Sequence, residues 1–134
     1  MNLTSSYPVL LTADVASTAE FYRATLGYRD AFSSDWYVSL QRGEFELAIL
    51  DANHETVPAS HRGRTASGVI VNLEVDDVDA EHARITTETD ATVVLPIRSE
   101  AFGQRHFIIS GPDGVLIDVI TPIPPSPEFA EQFA

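Results

Sequence analysis

Two tripeptides constrain this chain more than anything else in it. Ala13-Asp14-Val15 and Asp76-Asp77-Val78 each stand where an apolar, strand-like run gives way to a helical pattern. An Asp at such a junction accepts hydrogen bonds from the first free N–H groups of a helix. Ahead of the first junction lies Val9-Leu10-Leu11-Thr12, a strand. Behind it Val15, Ala19, Tyr22 and Leu26 recur at helical spacing, Phe21 widens the stripe, and Gly27 stands where a left-handed C-cap belongs. Ser17-Thr18-Ala19-Glu20 also has the form of a capping box. Three strands are expected next, over about 28–33, 36–41 and 45–50, separated by Ser33-Ser34-Asp35 and Arg42-Gly43.

The second junction is flanked in the same way. From Val69 to Val75 the chain alternates, with Val69, Val71, Leu73 and Val75 on one side and Ile70, Asn72 and Glu74 on the other. A helix capped by Asp77 is expected to about residue 87, with Val78, His82 and Ile85 on one stripe. A strand over 92–95 follows, then a hairpin from Phe102 to Ile120. Its bend is expected at Pro112-Asp113-Gly114, with Pro112 first, Asp113 second and Gly114 closing. The order strand, helix, three strands therefore occurs twice. This is an α+β chain of two βαβββ modules, expected to form a curved mixed sheet with a concave ligand cleft. The reading is one domain over 1–134: module one about 5–51, module two about 68–121, and a Pro-rich tail over 122–134. In that tail Phe129 and Phe133, four residues apart, are expected to fray or pack locally. The polar stretch 51–67 reads as a connector, and its His54 and His61 as surface residues.

Composition excludes several chemistries. There is no cysteine, so no disulfide, thiolate nucleophile or Cys-ligated zinc. All 8 basic residues are Arg, which removes lysine Schiff-base chemistry and the Walker phosphate loop. A net charge of −12 argues against nucleic acid and anionic membrane as partners and attracts cations. The run Val9-Leu10-Leu11 is too short for a membrane span or a signal peptide, so the expected location is the cytoplasm.

Asp14-Val15…Phe21-Tyr22…Leu26-Gly27-Tyr28 and Gly111-Pro112-Asp113-Gly114…Ile117-Asp118 resemble the first-helix and last-hairpin signatures of the vicinal oxygen chelate superfamily, the glyoxalase and bleomycin-resistance fold. The resemblance covers nearly the whole chain and implies the fold more specifically than the chemistry. In metalloenzymes of that superfamily, first and last strands of each module supply typically His, Glu, His and Glu to one divalent metal. Carried over by position, these fall on Tyr7, Glu46, Ile70 and Asp118. Ile70 cannot ligate, and two carboxylates without an imidazole make a poor set, so no metal and no cofactor are expected.

Phe102-Gly103-Gln104-Arg105 and Trp36 resemble the metal-free, drug-binding branch. That likeness implies a planar ligand stacked between Trp36 and Phe102, with Gly103 admitting it close to the backbone. Glu46, Asn72, Asp118, Tyr7 and Arg105 complete the expected ligand-binding set. Arg105 is expected to pair with Asp118 or Glu46, or to hold an anionic ligand group. His82 and His106 join no nucleophile–base arrangement. The expected function is metal-independent binding of a small, partly aromatic molecule, with antibiotic sequestration the example the resemblance offers. The alternative is a lyase or isomerase using Glu46 or Asp118 as base, or an atypical divalent-metal site; no catalytic residue is assigned. The resemblance also implies a homodimer.

Overall fold

The structure, a computed structural model, describes residues 1–130. It contains two compact units that meet in sequence between Ser67 and Gly68. The first holds β1 (Val9–Thr12), α1 (Val15–Leu26), β2 (Arg29–Ser33), β3 (Tyr37–Arg42) and β4 (Phe45–Asp51). The second holds β5 (Ile70–Glu74), α2 (Val78–Glu88), β6 (Val93–Glu100), β7 (Gln104–Ser110), β8 (Leu116–Pro122) and a last turn of helix, α3 (Pro127–Ala130). Strand order is β1-β4-β3-β2 in one sheet and β5-β8-β7-β6 in the other. The order is the same if each strand is matched to its counterpart. Both sheets have one parallel pair, β1 with β4 and β5 with β8, and are otherwise antiparallel. The α+β class and the paired βαβββ modules are thus as the sequence led one to expect.

The junction aspartates act as read. Asp14 accepts from the Ser17 N–H at 3.1 Å and Asp77 from the Ala80 N–H at 3.0 Å. The expected capping box is not used. Thr18 is buried, and its hydroxyl meets that of Thr12 at 2.7 Å, tying α1 to β1. Gly27 closes α1 at φ 76°, a conformation that costs glycine little. In the second unit Thr121 of β8 does further work at the helix start. Its hydroxyl accepts from the Val78 N–H at 2.9 Å and donates to the Val75 carbonyl at 2.8 Å.

Each helix covers one face of its own sheet. In the first unit α1 packs on β3 and β4, and the buried Leu10, Val38, Leu40, Leu47 and Ile49 face it with Val15, Ala19, Tyr22 and Leu26. In the second, α2 lies on β6, β7 and β8 over Phe107, Ile109, Ile117 and Val119, through Val78 and Ile85. Burying such side chains at roughly 1.5–3 kcal/mol each dominates what holds either unit together.

Two local expectations are corrected. β6 continues to Glu100 instead of stopping before Pro96, because it is the edge strand of its sheet and Pro96 needs no ladder N–H there. Its pairing with β7 shifts register between Val93 and Leu95 and again across that proline, between Leu95 and Arg98. The last hairpin turns on Asp113 and Gly114, not on Pro112 and Asp113. Both central residues have positive φ, 62° and 79°, and the Val115 N–H donates to the Pro112 carbonyl at 3.2 Å. A turn of that hand matches the twist of the flanking strands, and Asp and Gly tolerate it. No helix among the described residues is long and apolar enough to cross a membrane. Phe133 lies outside the described residues.

Candidate functional site

The face of the first sheet away from α1 follows from the strand register. Val9, Leu11, Tyr37, Ser39, Gln41, Glu46, Ala48 and Leu50 point to it. At its Leu50 end the chain leaves β4 and folds back over the sheet. The turn is built by the Asn53 N–H on the Asp51 carboxylate (2.9 Å). The Arg62 guanidinium then clamps the Val57 and Glu55 carbonyls (2.8 and 2.9 Å). Between sheet and loop is a cavity of about 630 Å³ lined by Val9, Leu11, Trp36, Tyr37, Leu50, Thr56, Val57, Pro58 and His61. That volume suits a drug-sized molecule, and an apolar lining with few polar groups is the usual make-up of such sites.

Trp36 stands just ahead of β3, held by the Asp51 N–H on its carbonyl at 2.9 Å. It is 37% exposed, so it is not a core residue. One face of its indole is taken: His54 stacks on it with centroids 3.8 Å apart and planes 6° apart. Tyr37, the next residue, packs at 5.8 Å from Trp36 and 6.3 Å from Phe32. The Tyr37 phenol is raised above its ordinary value, first by burial and then by Tyr7 and Glu46. Tyr37 and Glu46 stand on one face by register, and Tyr7 and Glu46 both act on the Tyr37 phenol. Glu46 accepts from Ser5 Oγ and from Gln41 Nε2, each at 3.1 Å. Three of the expected site residues, Tyr7, Trp36 and Glu46, thus share this face.

The second unit's open face carries Ile70, Asn72 and Glu74 of β5 and Asp118 of β8, with Asn72 directly opposite Asp118. Here the structure adds a group the sequence did not suggest. His106 is buried, and its Nδ1 meets Asp118 Oδ1 and its Nε2 meets Glu100 Oε2, each at 2.8 Å. A neutral imidazole has one N–H, so only the imidazolium donates to both carboxylates. Burial works to lower the affinity of His106 for its proton, but the bonds to Glu100 and Asp118 outweigh it and raise the pKa above 6.5. Glu100 is held below its ordinary value by His106 and then by Arg98, whose Nε lies 2.7 Å from Oε2.

Arg105 corrects its expected pairing. It bonds neither Asp118 nor Glu46 but Asp79 of α2, at 2.9–3.2 Å, and Ser99 at 3.2 Å. The reason is strand parity. Arg105 lies between Gln104 and His106, so it points to the helix side with Phe107, on which the His82 ring sits edge-on at 4.9 Å. Phe102 is exposed, its ring edge-on to His106 at 6.5 Å. The space at Gly103 is filled by the tail, not left for a ligand. A Cβ there would stand 3.0 Å from the Ile123 carbonyl and 3.4 Å from Pro125.

The residues at the superfamily's ligand positions do not fit a metal. Ile70 offers no lone pair. Glu46 is engaged by Ser5 and Gln41, and Asp118 by His106. Among the described residues no three His, Asp or Glu side chains converge as ligands. His61 and Tyr37 at the cavity, His54 on Trp36, and His106 and Glu100 were missed from sequence. The usable signal for His106 was its place diagonal to Asp118 across the hairpin.

Residues 5–119 match the Glyoxalase/Bleomycin resistance protein/Dioxygenase superfamily. Among solved structures, the chain is similar to a glyoxalase/bleomycin resistance protein/dioxygenase from Nocardioides. The identity is 21% over 92% of this chain and 85% of that one, with TM-score 0.75. It is similar to the bleomycin-binding protein of bleomycin-producing Streptomyces verticillus, solved with copper(II)-bleomycin. There the identity is 24% over 90% and 98%, with TM-score 0.65. A third likeness is to an integron cassette protein of V. cholerae, 24% identical over 90% and 97%, TM-score 0.71. At these identities the likeness is one of fold. No curated protein sequence matches the chain. By the residues matched, the chain belongs to the glyoxalase/bleomycin resistance protein/dioxygenase superfamily.

Proposed function

We propose that the protein binds a small, partly aromatic molecule without metal or chemical change, and that the first unit's cavity takes the ligand's apolar body. The cavity of about 630 Å³ beside a half-exposed Trp36 carries this reading. One indole face is already stacked on His54, so a planar ligand takes the other face or displaces the imidazole. Tyr7 and Glu46 border the same surface. Asn72, Asp118 and Phe102 are proposed as ligand contacts of the second unit taken by itself. Arg105 is not, since its guanidinium is spent on Asp79. The bleomycin-binding protein among the structural likenesses is compatible with drug sequestration as the biological role. Homodimer formation is part of the proposal.

The test is a melting-temperature screen against planar antibiotics and aromatic metabolites, followed by Trp36 fluorescence titration. A ligand at 100 times its Kd raises stability by about 2.7 kcal/mol. Recovery of the ligand unchanged supports binding. Its conversion favours the second reading, for which Glu46, acting with Tyr7 on the Tyr37 phenol, is the motive: a lyase or isomerase with Glu46 as base. Elemental analysis should find no stoichiometric transition metal after gel filtration. One equivalent of zinc, iron or manganese would overturn the metal-free reading.

A further inference from the structure

Glu46 and Asp51 are the half-buried acids of the first unit, and both are held by neutral donors, Asp51 by the Asn53 N–H. In the second unit Asp118, Glu100 and Glu81 have a cation instead: Asp118 and Glu100 have His106, and Glu81 has Arg84 at 2.9 Å. Glu46 is half-buried, yet its bonding partners are a hydroxyl and an amide, Ser5 and Gln41. Among the described residues no Arg or His forms an ion pair with it. The side chain is fixed by two neutral donors, which hold the carboxylate in place without neutralising it.

Its position makes that charge useful. Glu46 lies on the same sheet face as the cavity, two residues along β4 from Ala48, which pairs with the cavity residue Val9, and four from Leu50. At the rise of a strand these separations are about 7 and 13 Å. Tyr37 lines the cavity and stands on the same face opposite Leu50, with Ser39 and Gln41 continuing its row to Glu46. The surface from Trp36 to Glu46 is thus apolar at one end and anionic at the other, with aromatic rings between. Aromatic faces and a carboxylate both favour a cation.

We infer that the ligand is an amphiphilic cation: a planar apolar ring system in the cavity and an amine about 7–13 Å away on Glu46. The inference rests on the binding reading above and names the ligand class for it. An ammonium donates to the Glu46 oxygens in place of, or beside, Ser5 and Gln41, and stacks against Tyr7 or Tyr37. The chain's charge of −12 and absence of Lys raise the local concentration of such molecules.

The probes are three compounds on one scaffold: 4-(2-naphthyl)butylamine, the corresponding alcohol and the corresponding carboxylic acid, titrated calorimetrically into the intact protein. The amine should bind about tenfold tighter than the alcohol, and the carboxylate most weakly. Glu46→Gln should bring amine and alcohol together, while Trp36→Ala should weaken both. The advantage of the amine should also shrink as ionic strength rises from about 0.01 to 0.15 M. Equal binding of amine and alcohol, with Trp36→Ala still weakening both, overturns the cation inference and leaves the cavity reading intact. Failure of all three to bind, or binding indifferent to Trp36, overturns both. If Glu46→Gln does not fold, the salt dependence of the amine-to-alcohol ratio in the unaltered protein decides, and a ratio unmoved by salt overturns the inference.

Discussion

The two sheets have the same strand order and the same helix placement, but their open faces are different in kind. In the first unit the acid at the middle of the face, Glu46, is held by neutral donors, and the neighbouring side chains are Tyr, Trp and aliphatic. In the second, Asp118 and Glu100 close on His106, and Arg98 closes on Glu100. The first face keeps its charge and its apolar surface for something else. In the second, the acids around His106 are neutralised from within, while Glu74 on the edge strand stays exposed. The same backbone therefore yields one face suited to a ligand and one stabilised from within, and a few strand positions decide which. The variants below test that contrast from the largest expected effect to the smallest.

His106→Ala removes the cation from between two acids and leaves Asp118 buried without its partner. Breaking a buried charge pair from one side costs about 3–5 kcal/mol, and the lower end is expected because Glu100 keeps Arg98 and can reach water. The melting temperature should fall by roughly 10 °C or more for a chain of this size. An unchanged melting temperature would mean that the His106 network contributes nothing to stability, and the contrast between the faces would fail.

The same network has a pH signature, and its sign is fixed. His106 binds its proton more tightly folded than unfolded. Its contribution is complete below the ordinary value of 6.5 and is lost as pH rises through the raised folded value. Glu100 behaves oppositely: its contribution is complete above 4.5 and is lost as pH falls through its lowered folded value. The network is therefore strongest between about pH 4.5 and 6.5. An NMR titration should place the His106 midpoint above 6.5. A midpoint at or below that value would show that burial, and not the carboxylates, sets it.

Trp36→Ala tests the other face. Losing a stacking partner should cost at least about tenfold in ligand affinity, or 1.4 kcal/mol. Stability should fall only by about 1 kcal/mol, chiefly the lost His54 stack, because the indole is already partly in water. A loss of about 3–5 kcal/mol with affinity unchanged is what a core tryptophan gives, and would move Trp36 out of the site.

These contrasts were legible in the sequence to different depths. The elements could be read because their signals are local: Asp14 and Asp77 at helix starts, Gly27 at a helix end, strict alternation from Val69 to Val75. The doubled order of elements then gave the α+β class. Within the site, Tyr7 and Glu46 could be placed by position and strand parity, and Trp36 by the resemblance of its stretch to the drug-binding branch. What stayed hidden depends on chain returns that no local pattern encodes. His61 reaches the cavity, and His54 the Trp36 ring, because the segment after Asp51 is folded back by Arg62, and a polar, irregular stretch looks like linker until that clamp is seen. His106 meets Glu100 only because β6 runs past Pro96 to its full length. Gly103 looked open until the tail was found against it.

Arg105→Ala should have the smallest effect of the series, and it separates parity from motif. Phe102-Gly103-Gln104-Arg105 suggested a ligand-binding arginine, whereas the ladder turns Arg105 to the helix side, one residue out of phase with His106. There it forms a fork on Asp79, which lies in the first turn of α2 and is held below its ordinary value by that contact. The pair is solvent-exposed, so salt screens it and one long side chain must be ordered to make it; such pairs contribute little to stability. The expected result is a small fall in melting temperature at low salt that disappears at about 1 M, where charges beyond about 3 Å are screened. The affinity of any ligand that responds to Trp36→Ala should not change. A tenfold loss of that affinity in Arg105→Ala, with melting unaltered, would return Arg105 to the site and show that the Asp79 contact gives way when ligand binds.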